Sequence, residues 1–215
     1  MQFDAELERV LPLDIPHRER LIEKAAQHLT LIASANEYMN LTRIIDPQQA
    51  AIKHVYDSVA PWRHFRGANK ILDAGTGAGF PGIPLSIVLP NVRFTLSESV
   101  QKKARFVDSV VECLELPNAQ VVPLRAEEQA TTLHPDIITA RAIAPMSRIL
   151  DLFGKALKQG ARVILYKGPD VEAELEETEK RRFAADVLCR YELPDGLGTR
   201  TLVQIQRQSL ARTAS

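Results

Sequence analysis

The sequence predicts an α/β fold: a Rossmann-like, mostly parallel sheet that ends in an antiparallel hairpin and follows an N-terminal helical extension. Three observations carry this expectation. From residue 69 onward, short apolar runs alternate with helical stretches, the pattern of a parallel sheet covered on both faces. The first run ends in a glycine-rich turn, Asp73-Ala74-Gly75-Thr76-Gly77-Ala78-Gly79-Phe80-Pro81-Gly82. The last two runs are joined by Pro194-Asp195-Gly196-Leu197-Gly198, too short for a crossover and therefore an antiparallel connection.

Taken in order, Leu21, Ile22, Ala25, Leu29 and Ile32 form an apolar stripe of helical period within the first 60 or so residues. Residues 47–60 read as a second, shorter helix, opened by Pro47 in the favoured first turn and ended before Pro61. It carries His54, Asp57 and Ser58, which the sequence suggests are structural, and Asn40-Leu41-Thr42 lies ahead of it. Strands are expected at 70–74, 92–96, 119–124, 136–139 and 162–166, with helices at about 82–89, 100–115, 145–157 and 170–183. Strand-like runs at 185–192 and 200–206 supply the hairpin. The chain divides into a helical extension (1–66), a sheet domain (67–207) and a flexible tail (208–215).

Composition narrows the class. With 45% hydrophobic and 25% charged residues in 215, the chain has the balance of an ordinary globular protein. No run approaches the roughly 20 apolar residues that span a bilayer, and MQFDAELERV lacks the basic and apolar pattern of a secretory signal. Cys113 and Cys189 match no zinc spacing, so reduced thiols, no metal and a cytoplasmic location are expected. Equal numbers of basic and acidic residues (27 each) argue against coating nucleic acid through bulk charge, but not against a local basic face.

The glycine turn carries the chemistry. Gly75, Gly77 and Gly79 permit a tight reversal and close approach of a ligand to the main chain, and the helix that follows offers free N–H groups. Glu98 closes the second strand, where an acid can accept hydrogen bonds from ribose hydroxyls. A dinucleotide fingerprint places its third glycine one residue later; G-x-G-x-G after the acidic Asp73 suits S-adenosylmethionine, a ligand without a pyrophosphate. Arg125-Ala126-Glu127 follows the third strand, and Arg141 follows the fourth at the carboxyl edge, where such sheets bind ligands.

These residues, together with GTGAGFPGIPLSIVLP (75–90), FTLSESVQKKARF (94–106), Thr139-Ala140-Arg141-Ala142 and Tyr166-Lys167-Gly168, make the chain resemble the ribosomal RNA small subunit methyltransferase G family, also called glucose-inhibited division protein B. The resemblance implies a class I methyltransferase sheet. It also implies transfer of a methyl group from S-adenosylmethionine to N7 of one guanine of 16S rRNA, guanine 527 in the usual numbering. By position it puts Gly75 and Phe80 at the cofactor's methionine end, Glu98 on the ribose, and Ala126 and Glu127 at the adenine, with Asp73, Gly77 and Gly79 as further cofactor contacts. Arg141 falls at the mouth between cofactor and guanine, as a cofactor contact and the catalytic orienting group. The family usually carries Asp where Glu98 stands, so the carboxylate here reaches one methylene further.

Guanine N7 carries an in-plane lone pair and no proton, so the reaction needs no general base. Positioning is then the main source of acceleration. A bidentate arginine on N7 and O6 would block the reacting atom, which points Arg141 at O6 or the RNA backbone. Arg125, Lys167 and Arg200 are the expected substrate contacts; Lys102-Lys103-Arg105, Arg63-His64-Arg66, Arg43 and Arg148 are further basic groups. The expected partner is 16S rRNA or the small ribosomal subunit, bound by a monomer without membrane attachment. The competing readings are a methyltransferase with another target, a nicotinamide-dependent oxidoreductase and a non-catalytic RNA-binding factor.

Overall fold

Successive side chains of a strand point to opposite faces, and each central strand here is apolar on both. Ile71, Phe94, Leu96, Ile137 and Ile164 face one layer of helices; Leu72, Ile138, Val163 and Leu165 face another. A sheet of this composition is stable only when helices cover both sides. The computed structural model describes residues 2–141 and 144–208 and shows that arrangement. Ala142, in the fourth-strand motif, and residues 209–215 of the expected tail lie outside the described residues.

The order is α1 (Gln2–Val10), α2 (Arg18–Met39), α3 (Pro47–Ala50), a π-helical stretch (Ala51–Tyr56), α4 (Asp57–Val59) and a 3-10 turn (Trp62–Phe65). Then come β1 (Lys70–Ala74), α5 (Gly82–Val88), β2 (Arg93–Ser97), α6 (Gln101–Cys113), β3 (Ala119–Val122), α7 (Ala126–Leu133) and β4 (Ile137–Arg141). The chain continues with α8 (Met146–Lys158), β5 (Arg162–Lys167), α9 (Glu172–Lys180), β6 (Phe183–Glu192) and β7 (Thr199–Arg207). Among the described residues seven strands lie in the order β3-β2-β1-β4-β5-β7-β6, parallel through β5, with β7 antiparallel to both β5 and β6. The strand order reverses between β1 and β4, which is where a doubly wound sheet opens its ligand crevice.

Three local expectations change. Helix α7 was not foreseen; its N-terminus is marked by Glu127 and Glu128 in the first turn, where carboxylates favour the helix dipole. The third strand stops at Val122, and the main chain then turns so that the Ser97 hydroxyl donates to the Leu124 carbonyl at 2.6 Å. The helix expected over 47–60 is one rod with a π-helical middle: the Asp57 N–H bonds the Ile52 carbonyl five residues back. Asp46 caps the start of this rod, accepting from the Gln49 N–H at 2.9 Å.

The N-terminal helices share a single apolar cluster with the sheet face that carries α5 and α6. Leu7, Leu21, Leu29 and Ile52 are buried in it beside Phe65, Phe94 and Ile164. Asp195, in the turn of the hairpin, accepts from Arg9 of α1 and from Gln48 of α3, each at 2.7 Å. Among the described residues no helix is long and apolar enough to cross a membrane.

Because α2 contributes to this shared core, Leu29→Ala is expected to cost about 2–5 kcal/mol in urea unfolding followed by circular dichroism, within one transition. A loss below about 1 kcal/mol would place the extension outside the cooperative unit.

Candidate active site

The glycine turn is held shut from below by Asp73. Its Oδ2 accepts from the Thr76 hydroxyl at 2.6 Å and from the Gly82 N–H at 2.9 Å. Burial pushes its pKa up to about 6, against the pull of those two hydrogen bonds. Among the described residues Oδ1 has no hydrogen-bond partner, and neither does the buried Thr139 hydroxyl on the paired residue of β4. Gly82 is required for packing, because a Cβ there would meet the side chain of Leu96 and stand 2.6 Å from Asp73 Oδ2. Gly77 has a different role. Its φ is +62°, and the nearest atom to an added Cβ is the Gly75 carbonyl oxygen at 3.9 Å, so the main chain is open to a ligand there.

Two clefts open at the carboxyl edge of the sheet, and Ala144 lines both. The narrower, about 280 Å³, lies over β1 to β3 between Gly75, Ser97, Ser99, Arg125-Ala126-Glu127 and Phe153. Its mix of main chain, hydroxyls and apolar wall suits a nucleoside. The wider, about 410 Å³, lies over β4 and β5 and is cationic: Lys53, Arg141, Lys167 and Arg200 line it against Asp57, the one carboxylate among its described lining residues.

Asp57 organises the wider cleft. It is 1% exposed, and its Oδ2 accepts from Arg200 Nε at 3.2 Å and lies 3.5 Å from an Arg141 nitrogen. Its Oδ1 accepts from the Tyr191 hydroxyl at 2.9 Å. Arg141 also donates to the Lys53 carbonyl at 2.7 Å, within the π-helical stretch. Tyr166 donates to the Ser58 carbonyl at 2.8 Å. Burial, reinforced by the neighbouring Asp57 charge, raises the pKa of both Tyr166 and Tyr191, so each phenol keeps its proton and donates.

Phe80 joins this network to the glycine turn. Its ring lies between His28 of α2 and His54 of the π-helical stretch, each with centroids 4.7 Å away, and the Arg141 guanidinium carbon is 5.5 Å from its centroid. His28 Nε2 donates to the Ala78 carbonyl at 2.8 Å. His54 Nε2 lies 3.3 Å from the Ile44 carbonyl oxygen and 3.2 Å from Thr42 Oγ1, so it too carries the proton. Burial lowers the pKa of His28 to about 4 and that of His54, with help from the Arg141 charge, to about 3. Both rings are neutral at pH 7.

The residues picked from sequence therefore fall in four places. Gly75, Ala126 and Glu127 line the narrow cleft with Arg125, whose side chain is 70% exposed and 3.7 Å from Glu127. Asp73 lies beneath the turn; Gly79 and Phe80 face the N-terminal helices. Glu98 is buried just outside the cleft, and its Oε1 accepts from the Val100 N–H at 2.8 Å. Arg141, Lys167 and Arg200 line the wide cleft, with Lys167 paired to Glu174 at 2.8 Å. Sequence reasoning passed over Lys53, Asp57 and Tyr166 as cleft residues. The spacing of His54, Asp57 and Ser58 was visible, but a π-helical turn leaves no mark in hydrophobic periodicity.

The profile of the rRNA small subunit methyltransferase G family matches residues 21–195. Ribosomal RNA small subunit methyltransferase G of Solibacter usitatus is 55% identical over 210 residues, 96% of this chain and 100% of that protein. The protein of the same name from Staphylococcus saprophyticus is 37% identical over 83% of this chain and 79% of its own. Among solved structures, the O-methyltransferase TomG of Streptomyces achromogenes superposes with a TM-score of 0.56 at 19% identity, covering 86% of this chain and 90% of its own, a likeness of fold.

Removing the shared acceptor should be costly. Asp57→Ala leaves two guanidiniums and a phenol without their partner and is expected to lose about 3–5 kcal/mol of stability in urea unfolding, with Asp57→Asn losing less; a cost below about 1 kcal/mol for Asp57→Ala would contradict the network. The histidines make a second prediction. Their pKa values are lowered by folding, so their contribution is complete above the unfolded value near 6.5 and is lost as pH falls toward 4. Asp73 acts in reverse, its contribution complete below pH 3.8 and lost as pH rises through about 6. The stability margin of wild type over His28→Gln should therefore shrink between pH 7 and 4.5, and a constant margin would contradict the buried neutral ring.

Proposed function

The chain belongs to the rRNA small subunit methyltransferase G family, and from that premise we propose that it transfers the methyl group of S-adenosylmethionine to N7 of one guanine of 16S rRNA, guanine 527 in the usual numbering. The observation that carries this reading is the meeting of two unlike clefts at Ala144: one suited to a nucleoside, the other cationic and open to a base with its phosphates.

The narrow cleft fits the cofactor. Gly75 lines it, Gly77 in the same turn leaves the main chain open, Ser97 and Ser99 offer hydroxyls, and Leu124, Ala126 and Phe153 supply an apolar slot. Asp73 keeps an unmatched acceptor beneath the turn, a feature that suits a ligand with a positive amino group. The cofactor supplies an electrophilic methyl group on sulfur.

The residues of the wide cleft position the acceptor. Arg141 is fixed by the Lys53 carbonyl and by Asp57, so it reaches the cleft with one orientation and with part of its charge already offset. It can donate to guanine O6 or to a phosphate and leave N7 free. Positive charge develops on the purine as the methyl arrives, and an unpaired cation beside N7 would oppose it; Asp57 limits that opposition. His28 and His54, neutral and buried, act as packing surfaces for Phe80 and move no proton. Lys53, Lys167 and Arg200 meet the phosphates, and the protein acts on rRNA as a cytoplasmic monomer.

Mapping N7-methylguanine in 16S rRNA from cells with and without this protein tests the proposal directly; identical maps would end it. Arg141→Ala is expected to lower kcat/KM for the rRNA about 100-fold while S-adenosylmethionine affinity, measured by calorimetry, stays unchanged. An equal loss of cofactor affinity would return Arg141 to the cofactor cleft.

A further inference from the structure

Outside both clefts, the molecule presents an exposed aromatic ring among cations. Tyr38, in the last turn of α2, is 69% exposed. Lys102, in the first turn of α6, holds the main chain beneath it: its Nζ donates to the Tyr38 carbonyl at 3.0 Å and lies 5.8 Å from the ring centroid. Lys103 follows in sequence and Arg43 stands exposed on the loop after α2; among the described residues these three cations enter no ion pair.

Two segments tie this surface to the clefts. On one side, Ser99 lines the narrow cleft and is followed by Val100, 51% exposed, and by α6. On the other, the Asn36 side chain accepts from the Thr42 N–H at 3.0 Å and folds the loop back on α2. Ile44 of that loop lines the wide cleft, and Ile45 beside it is 54% exposed. A single exposed tyrosine needs no explanation. One anchored by a lysine, with two further cations close by in sequence on the same two segments, and joined by those segments to both clefts, has the composition of a single-stranded RNA platform, where a base stacks on the ring and cations meet its phosphates.

We infer that Tyr38 is a stacking platform for an unpaired rRNA base flanking the methylated guanine, with Lys102, Lys103 and Arg43 on the adjoining phosphates. The inference rests on the rRNA reading above. It contributes substrate affinity and register and plays no part in methyl transfer itself.

The test uses full-length protein with unmethylated small subunits, and with protein-free 16S rRNA, from cells lacking it. Tyr38→Ala should raise KM for both substrates by about 5- to 150-fold, while kcat and S-adenosylmethionine affinity stay at wild-type values. Tyr38→Phe should behave as wild type, because stacking needs the ring and not the hydroxyl. Lys102→Ala should reduce the slope of log affinity against log salt by about one. A photoreactive benzophenone side chain at position 38 should cross-link to rRNA. An unchanged KM for Tyr38→Ala, a loss for Tyr38→Phe equal to that for Tyr38→Ala, or cross-linking to a ribosomal protein would each overturn the inference. Failure of the wild-type protein to methylate rRNA would instead overturn the proposed function.

Discussion

Asp57, almost wholly buried, accepts hydrogen bonds from three elements that are remote in sequence. Arg141 comes from the end of β4, Tyr191 from β6 and Arg200 from β7, while the carboxylate itself stands at the start of α4 in the N-terminal region. A buried carboxylate without such partners would lose its hydration with nothing in return. The hairpin, the fourth strand and the N-terminal rod must therefore arrive together. The wide cleft is the space left among the groups that meet there, so its shape depends on this one acceptor. Its charge depends on it too, since among the described residues Asp57 is the only carboxylate to line it.

The same N-terminal rod governs the cofactor side through Phe80. A glycine-rich turn is freely adaptable, which serves a ligand but leaves the turn without a conformation of its own. Here its path is fixed from two directions. Asp73 binds Thr76 and Gly82 from below, and the rings of His28 and His54 hold Phe80 at its far end. His54 lies three residues before Asp57, so one short stretch of helix touches the turn and the cationic cleft at once. The two clefts are thereby set in a fixed relation, which is what a direct methyl transfer without general-base help depends on.

Charge divides along the same line. The molecule is neutral as a whole, yet Lys53, Arg141, Lys167 and Arg200 line the wide cleft at the carboxyl edge and Lys102 stands beside Tyr38. Several are already engaged with carboxylates: Arg141 and Arg200 with Asp57, and Lys167 with Glu174. Such pairs orient guanidinium and ammonium groups at the expense of net field. On the inference drawn above, long-range attraction of RNA falls to residues outside these pairs, such as Arg43, Lys102 and Lys103.

The sheet, the glycine turn and the terminal hairpin were legible in the sequence because each rests on local rules. Strand runs such as 70–74 are short and apolar, the turn needs glycine where φ is positive, and Pro194 to Gly198 is too short for a crossover. The reading of that turn as a cofactor site rested on those rules and on the family resemblance. Tertiary structure alone decided which of the named residues share a cleft. Sequence spacing cannot show that Phe80 turns toward two histidines, that Glu98 folds back on Val100, or that Asp57 joins Arg141 and Arg200. The Asp57 contacts bring side chains together across 84 to 143 positions, and a π-helical turn changes the phase of the short helix that carries Asp57 and His54. Local propensity carries no information about either, because burial and hydrogen-bond satisfaction are settled only when all the elements are in place.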